Sequence, residues 1–335
     1  DQGAWGMPLI TAYTCQSLDR ITLVDPVKVE VFNEALNLAL NDWDQKIAAV
    51  KVGVICNAAI LEAVLKALEG PLAGVPVVWD PVLTATSGDI ESADIIKVTT
   101  VFTPNIPEAM ELTGRTENDI KSDKDILAMC DELIAQGANA ILLKGGHNIS
   151  GLDAVDTFKS KKTSFKMSHA KKDGLGAHGG GCALSSSIAG LIACGYAIED
   201  AVVMGKVYVT RGIFETEMCF EHKRPPIAHK GLDFNLDYMP QIIQDNFPVA
   251  AGPFPKCAFN LGIYPVVDSA DWVQRLLSMG VKTIQLRIKT DKHDDESNEH
   301  LVNEIKRACF LGHNFRARIF IDDHYKLAAK FGAYG

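Results

Sequence analysis

The chain lacks the features that mark several large protein classes. Its most apolar helical stretch, Cys182 to Cys194, contains three serines and is too short to cross a membrane. Its eight cysteines include no CxxC pair, which is typical of reduced thiols in a cytosol-like compartment. A net charge of -9 argues against a nucleic-acid surface. We therefore expect a soluble, cytoplasmic protein that contacts neither membrane nor nucleic acid.

Two common nucleotide-binding loops are also missing. Lys144-Gly145-Gly146-His147 ends a predicted strand, and its glycines permit close approach of the backbone to a ligand. The segment does not match GxGxxG, and no GK[ST] follows it. The sequence therefore indicates neither a dehydrogenase nor a Walker A protein.

A different glycine-rich segment is present, His178-Gly179-Gly180-Gly181-Cys182, and it runs directly into a helix-like sequence. Several backbone amides and the positive end of a helix would then meet at one point, which suits a phosphate or an oxyanion. The same position would lower the pKa of Cys182. The alternative is a flexible loop that caps a core helix around an inert cysteine.

Strands and helices alternate along the chain, which is typical of a parallel α/β architecture. The first part has predicted strands at 9–13, 48–55, 75–82, 95–102 and 140–144, a hairpin at 154–158 and 164–169, and helices at 27–40, 58–68, 107–112, 123–136, 182–194 and 198–215. The proline-rich residues 246–257 read as a linker. Residues 258–335 then hold about three βα units, fewer than a βα barrel needs. We expect domains at 1–245 and 258–335.

Polar residues follow several predicted strands of the first part. Asn105 and Glu108 could orient magnesium beside phosphates, or they could form a capping box. Asp80 could serve a metal–phosphate group beyond a strand end, or it could cap a turn. Gln16 could contact a heterocycle through both its donor and its acceptor, or it could be an exposed loop residue.

Gln285, Arg287 and Lys289 alternate along a predicted strand of the second part, so all three share one face. Charged groups on an inward face are costly unless they bind a ligand, which suggests a pocket for pyrophosphate or another anion. The alternative is a solvent-facing strand. Asp322 and Asp323 follow another strand, where they could bind a metal or could cap the helix that begins near Tyr325.

The order and spacing of the first-part motifs resemble the hydroxymethylpyrimidine kinase / phosphomethylpyrimidine kinase family, a branch of the ribokinase-like fold. The resemblance covers about Gly6 to Ile213. It rests on Thr14-Cys15-Gln16, Val50-Lys51-Val52-Gly53, Asp80-Pro81-Val82 with Ser87-Gly88-Asp89, Thr103 to Glu108, Leu143 to His147, and His178 to Cys182. It implies a three-layer α/β/α domain that phosphorylates 4-amino-5-hydroxymethyl-2-methylpyrimidine and then its monophosphate with ATP.

The resemblance also implies roles for individual residues. Cys182 would stand where related sugar kinases have an aspartate base. Lys144, Gly145 and Asn105 would border ATP, and Glu108 and Asp80 would organise Mg2+. The other implied roles are an anion hole formed by Gly179, Gly180 and Gly181, and pyrimidine contacts made by Gln16 and Val54. Gly180 stands where the family usually has threonine, and Val54 stands where it usually has methionine.

The second part resembles the start of thiamine-phosphate synthase, a TIM barrel, through Leu261 to Asp268, Gln285 to Lys289 and Ile321 to Ala328. The resemblance implies that Gln285, Arg287 and Lys289 bind the pyrimidine pyrophosphate and that Asp323 is a metal ligand. Asp322 stands where asparagine is usual. Because an open piece of three units cannot close a barrel, we expect no synthase activity from this segment.

The two parts would make and use the same intermediate, so we expect a bifunctional thiamine-biosynthesis protein that takes the pyrimidine, its phosphate and thiazole phosphate. The family begins with a strand and a glycine-rich loop that are not seen here. We therefore expect a chain shortened at both ends, whose kinase part could be weakly folded or inactive. The alternatives are a pyridoxal-type vitamin kinase and a non-catalytic, ligand-binding protein. The sequence is compatible with a homodimer.

Overall fold

A computed structural model describes residues 2–17, 20–42, 46–81, 92–145, 153–171, 178–216, 225–233, 235–244, 254–255, 257, 260–290 and 297–335. The chain divides into two compact units, Asp1–Asp245 and Asn246–Gly335. Several motif residues and most of the expected linker lie outside the described residues; the motif residues are Val82, Ser87, Gly88, Asp89, Gly146 and His147.

The first unit contains a small antiparallel pair and a large mixed sheet. The pair is β1 (Ala12–Gln16) with β2 (Ile21–Pro26). The sheet has seven strands in the order of the chain: β3 (Val50–Val52), β4 (Val77–Trp79), β5 (Val101–Phe102), β6 (Ala140–Leu143), β7 (Asp153–Ser160), β8 (Ser164–Ala170) and β9 (Gln241–Ile243). Strands β3 to β6 are parallel, and β6 to β9 are antiparallel.

Helices cover both faces of this sheet. One face carries α1 (Val29–Asn41), α2 (Ala58–Glu69), α3 (Ser92–Lys97), α4 (Ile106–Thr113) and α5 (Asp123–Ala135), and the other carries α6 (Gly180–Ala193) and α7 (Ile198–Phe214). Successive strand residues enter opposite cores: Val77 and Trp79 pack with α1 to α5, whereas Val78 packs with α6 and α7. Burial on both faces explains why the central strands β4, β5 and β6 are wholly apolar. The predicted three-layer α/β/α fold is confirmed.

The second unit is a parallel sheet of three strands, β10 (Val266–Val267), β11 (Thr283–Leu286) and β12 (Arg318–Ile321). Its helices are α8 (Ala270–Ser278), α9 (Glu299–Asn314) and α10 (Tyr325–Phe331). Ile284, Leu286, Ile319 and Ile321 join these helices in one core. The described part of this unit is therefore a run of three βα units, as the sequence predicted.

The predicted strand over 95–102 is wrong in its first half. Residues Ser92–Lys97 form α3, and only Val101–Phe102 form a strand. Ile95 and Ile96 are both buried, and a short apolar run of β-branched residues fits either a strand or a buried helix. The predicted strand 9–13 is also displaced, because β1 starts at Ala12 and pairs only with β2.

No helix in the described parts of the chain is long and apolar enough to span a bilayer.

Candidate active site

Polar side chains occupy one face of the large sheet where its parallel strands end. Val78, Val101, Leu142 and Phe158 all belong to the core beneath α6 and α7. Because side chains alternate along a strand, the residues two positions away share that face. Those residues are Asp80, Thr103, Lys144 and Asp156, and Lys51 joins them through its pairing with Val78. Ligands of open α/β sheets bind beyond this edge.

Asp80 is the centre of this cluster. It is 2% exposed, and its Oδ1 lies 2.6 Å from the Nζ of Lys144. The hydroxyl of Thr103 donates to the same oxygen at 3.4 Å, and the hydroxyl of Ser185 donates to Oδ2 at 3.4 Å. The Lys144 side chain keeps 16% of its surface exposed. The cluster thus holds a fixed ammonium group that a ligand can still approach.

The first turn of α6 lies directly against this pair. Gly179 is its N-cap, with φ of 84°, a left-handed conformation that favours glycine. A β-carbon built at Gly181 would lie 3.3 Å from the Nζ of Lys144 and 3.8 Å from Oδ2 of Asp80. The glycines therefore let the helix start beside Lys144. A helix N-terminus next to an ammonium group is a favourable place for a phosphate.

Cys182 follows in the same turn and is exposed. Although the residue as a whole is exposed, desolvation around the thiol raises its pKa, and the carboxylate of Asp80 raises it further. The ammonium groups of Lys51 and Lys144 act in the opposite direction on that pKa. The direction of this shift is opposite to the predicted lowering of the Cys182 pKa, because desolvation of the thiol and the nearby carboxylate outweigh the two lysines.

Gln16 lies at the end of β1, and its Nε2 is 3.0 Å from Nε2 of His178, the residue before the glycines. The small antiparallel pair thus reaches the bend that precedes α6. Val54 is half-buried, and its carbonyl oxygen accepts a hydrogen bond from Thr11 Oγ1 at 2.7 Å. The pyrimidine contacts expected of Gln16 and Val54 remain predictions.

Asn105 and Glu108 form a capping box at the start of α4. The Asn105 amide donates to Glu108 Oε2 at 2.7 Å, and the Glu108 amide donates to Asn105 Oδ1 at 2.8 Å. The box is adjacent to the cluster, because Asn105 bridges to Lys144 and the Lys144 amide donates to Pro104 O at 2.8 Å. Desolvation raises the pKa of Glu108, and Asp80 adds to this effect, while Lys144 opposes it. The described residues contain no group of three metal-binding side chains.

Gly145 is held from two sides. Its amide donates to Oδ1 of Asp156 at 2.9 Å. A β-carbon at this position would lie 1.8 Å from the carbonyl oxygen of Val155, so only glycine fits. Position 145, which we expect to border ATP, therefore requires glycine, because any side chain there would collide with the backbone of β7.

Sequence reasoning missed five contributors to this site: Lys51, Thr103, Asp156, Ser185 and His178. Lys51 and Thr103 lay within motifs that were recognised, yet neither was given a role. Asp156 carries no distinct signal, because β7 contains several other polar residues. Ser185 carries no signal of its own, because its relevance depends on the turn of α6 that faces Asp80.

The second unit has a separate polar patch. Gln285 is half-buried in β11, but the strand ends at Leu286, so Arg287 and Lys289 lie beyond it and are exposed. The predicted strand that carries all three residues is therefore too long. Arg287 Nε lies 2.8 Å from Oδ2 of Asp322.

Asp323, the expected metal ligand, follows β12 and is exposed, with φ of 65°. The N-cap of α10 is His324, whose Nε2 lies 2.8 Å from Ile288 O. The two aspartates therefore do not cap this helix, and that alternative is wrong.

Comparisons with known proteins divide the chain in a similar way. The phosphomethylpyrimidine kinase family model matches residues 1–228, and the thiamine monophosphate synthase model matches residues 263–335. A hydroxymethylpyrimidine/phosphomethylpyrimidine kinase of Rhizobium meliloti is 33% identical over 68% of this chain and 86% of its own length.

One further relative matches the second part alone, and another matches nearly the whole chain. A thiamine-phosphate synthase of Citrobacter koseri is 50% identical over 24% of this chain, which spans 36% of that protein. A rice protein named probable thiamine biosynthetic bifunctional enzyme, chloroplastic, is 26% identical over 99% of this chain and 61% of its own length. The chain thus spans only part of these two relatives.

Two solved structures share the fold of the first unit. A phosphomethylpyrimidine kinase of Clostridium difficile 630 superposes with a TM-score of 0.52 at 28% identity, over 63% of this chain and 87% of its own. A pyridoxal kinase of Staphylococcus aureus in complex with AMP-PCP and pyridoxal gives 0.63 at 23% identity, over 72% and 87%.

Proposed function

Because the chain belongs to the phosphomethylpyrimidine kinase family, we propose that its first unit transfers the γ-phosphoryl group of ATP to 4-amino-5-hydroxymethyl-2-methylpyrimidine and then to the monophosphate. The observation that carries this proposal is the Asp80–Lys144 pair beneath the first turn of α6. A fixed ammonium group and a helix N-terminus form a site for the phosphoryl group. The reaction belongs to thiamine biosynthesis.

Phosphoryl transfer requires chiefly positioning and stabilisation of charge. In the loose transition state, negative charge spreads over the equatorial oxygens of the transferred group. Lys144 and the amides of Gly180 and Gly181 would stabilise this charge. Lys51 would add a second cation on the same face of the sheet. Its ammonium group is near enough to Cys182 to lower the pKa of that thiol.

Cys182 would receive the proton of the substrate hydroxyl. The hydroxymethyl oxygen forms a bond to the γ-phosphorus, the bond from that phosphorus to the bridging oxygen of ADP breaks, and the hydroxyl proton passes to the ionised sulfur of Cys182, which becomes a neutral thiol. The raised pKa of Cys182 means that the resting enzyme mostly holds a thiol. The ionised fraction is correspondingly more basic than a free cysteine thiolate.

Glu108 and Asp80 have the donor atoms that Mg2+ prefers. Magnesium is usually held by one or two carboxylates together with substrate phosphates. The residues fit this requirement, since the Asp80 carboxylate contacts Lys144 and the Glu108 carboxylate belongs to the capping box whose Asn105 bridges to Lys144. When bound there, the ion would neutralise charge on the β- and γ-phosphates. Asn105 would orient Glu108 through the capping box.

We propose that Gln16 and Val54 contact the pyrimidine ring, with Gln16 held beside the phosphoryl site by His178. A kinase assay with hydroxymethylpyrimidine, its monophosphate and pyridoxal as acceptors tests the proposed substrate. We expect turnover of both pyrimidines and little of pyridoxal. Turnover of pyridoxal alone would identify a pyridoxal-type kinase instead. ATP binding by calorimetry without turnover of any acceptor would identify a non-catalytic nucleotide-binding protein.

For the second unit we propose binding of a pyrimidine pyrophosphate through Gln285, Arg287 and Lys289, with Asp323 as a metal ligand, as part of a thiamine-phosphate synthase site. The domains are then residues 1–245 and 258–335, with 246–257 as a linker. Calorimetry with inorganic pyrophosphate and Mg2+ tests this. Arg287→Met should weaken binding, whereas Lys282→Met, whose ammonium donates to Phe315 O at 2.8 Å, should not.

A further inference from the structure

A second buried ion pair lies behind the phosphoryl site. Asp156 in β7 is 4% exposed and Lys206 in the middle of α7 is 8% exposed, and Lys206 Nζ lies 2.6 Å from Asp156 Oδ2. Removing two charges from water is expensive, and apolar residues of similar volume often stabilise a fold equally well. The neighbours Ala201, Val202 and Val207 on α7 are fully buried and apolar. Stability alone therefore does not explain this pair.

The pair makes a further contact that points to its role. The other carboxylate oxygen of Asp156, Oδ1, accepts a hydrogen bond from the amide of Gly145 at 2.9 Å. Gly145 directly follows Lys144, whose ammonium group contacts Asp80 at 2.6 Å. Two carboxylates thus hold two consecutive residues: Asp80 binds the side chain of Lys144, and Asp156 binds the backbone of Gly145.

The register of the sheet explains why a carboxylate stands at this position. Leu143 pairs with Thr157 in the antiparallel ladder of β6 and β7, so the chain beyond β6 continues alongside Asp156. The Gly145 amide donates to the Asp156 side chain. Because the amide lies in a buried region, loss of this acceptor would leave a polar group unpaired.

We propose that Asp156, held in place by Lys206, is a positioning residue that fixes the segment Lys144–Gly145 for ATP binding. This inference rests on the proposed kinase function. Asp156 acts through Gly145 and Lys144 and contacts no reacting atom. Its loss should therefore weaken ATP binding and raise the KM for ATP, and it should leave the KM for the pyrimidine nearly unchanged.

Two double variants separate the hydrogen-bond acceptor from the buried charges. Asp156→Asn with Lys206→Met removes both charges but keeps a side-chain oxygen for the Gly145 amide. Asp156→Leu with Lys206→Met removes both charges and the acceptor but fills the space. Lys159→Met is the matched control, because Lys159 also lies in β7 and pairs with Asp131 at 2.7 Å on the surface.

The measurements are the ATP dissociation constant by calorimetry, KM for ATP and for the pyrimidine, and the thermal midpoint. We expect Asp156→Leu/Lys206→Met to weaken ATP binding about tenfold, the value of one hydrogen bond to a charged group. Asp156→Asn/Lys206→Met should stay within about threefold of the parent protein by the same conversion. Lys159→Met should leave ATP affinity unchanged.

Equal ATP affinity in the parent protein and a folded Asp156→Leu/Lys206→Met variant would overturn the proposal, as would equal losses in both double variants. If the leucine variant does not fold, the single variant Lys206→Met decides. It should weaken ATP binding, and unchanged affinity would reject the role of Lys206.

A parent protein that binds ATP without phosphorylating any acceptor would refute the kinase proposal alone, since ATP affinity would still test Asp156. A parent protein that binds no ATP would reject the positioning role.

Discussion

At the scale of single residues, Cys182 is exposed but has a raised pKa. An activated cysteine would instead have a lowered pKa and would be mostly thiolate. Cys182→Ala removes the proton acceptor but leaves Lys144 and the glycine amides in place. We expect kcat to fall about 100-fold, within the usual contribution of a general base. The dissociation constant for ATP should change little. Near-normal turnover of a folded Cys182→Ala protein would remove the proposed role.

The cysteines also differ in how readily they should react with alkylating agents. Burial raises the pKa of Cys130 to about 12 and that of Cys309 to about 11. Because the thiolate is the reactive form, we expect both to resist iodoacetamide in the native protein at pH 8. Cys182 should react, but more slowly than a free cysteine, because its pKa is raised.

Cys194 supplies the control for this experiment. It is exposed and lies at the C-terminal end of α6, whereas Cys182 lies at the N-terminal end. ATP should slow the alkylation of Cys182 and leave Cys194 unaffected, as read by mass spectrometry of the labelled peptides. Equal protection of both thiols, or of neither, would contradict a phosphate site at the first turn of α6.

At the scale of secondary-structure elements, two helices of the first unit begin in the same way. Asn105 caps α4 and Asn57 caps α2, and each side chain accepts from the amide three residues later, at 2.8 Å and 2.9 Å respectively. Replacing an asparagine N-cap with alanine costs about 1 kcal/mol. Asn105→Ala and Asn57→Ala should therefore destabilise the protein to a similar extent in urea denaturation.

The two cap variants should differ in ATP binding. Asn105 bridges to Lys144, and its partner Glu108 is influenced by Lys144 and Asp80, so Asn105→Ala should also weaken ATP binding. Asn57→Ala should not, because the Asn57 side chain caps its own helix through the amide of Ile60 and has no proposed role at the nucleotide. If both variants kept the affinity of the parent protein, Asn105 would be a structural cap and no more.

The sequence predicted elements well where one signal dominated. Apolar periodicity placed α2 and α5 within one residue of their bounds, and α10 begins at the expected Tyr325. The run Ile95 to Val98 was mistaken for a strand because its β-branched residues suit either structure, and tertiary packing chose the helix. Strand β2 and the short strand β9 were missed, because β2 pairs only with β1 and β9 has only three residues.

The sequence predicted some members of the candidate site but not its geometry. Motifs identified Asp80, Lys144, Asn105 and Cys182. What the sequence could not supply was which side chains face each other, because that depends on strand register and on where α6 starts. The Asp80–Lys144 pair joins residues 64 positions apart. The direction of the Cys182 pKa shift likewise depends on desolvation, which follows only from packing.

At the scale of the whole molecule, the chain holds two compact units with separate apolar cores. Among the described residues, the contacts given above for the proposed kinase site lie within the first unit, and those of the pyrophosphate patch lie within the second. A fusion of this kind is chemically coherent, since the product of the proposed kinase is a substrate of thiamine-phosphate synthase. Homodimer formation remains a prediction.

Removal of residues 257–335 tests whether the proposed kinase site depends on the second unit. Since Asp80, Lys144, Asp156 and Lys206 find their partners inside Asp1–Asp245, we expect the shortened chain to keep the ATP affinity and kcat of the parent protein within about twofold, a difference well under 1 kcal/mol. The full chain carrying Gly312→Val is the matched variant. A β-carbon at Gly312 would lie 2.3 Å from Cγ1 of Ile319, so this change should disrupt the core of the second unit without shortening the chain. Calorimetric melting of the parent should show two transitions, of which Gly312→Val lowers or abolishes one. A large loss of ATP affinity or kcat in both proteins would instead demonstrate that the kinase site requires an intact second unit.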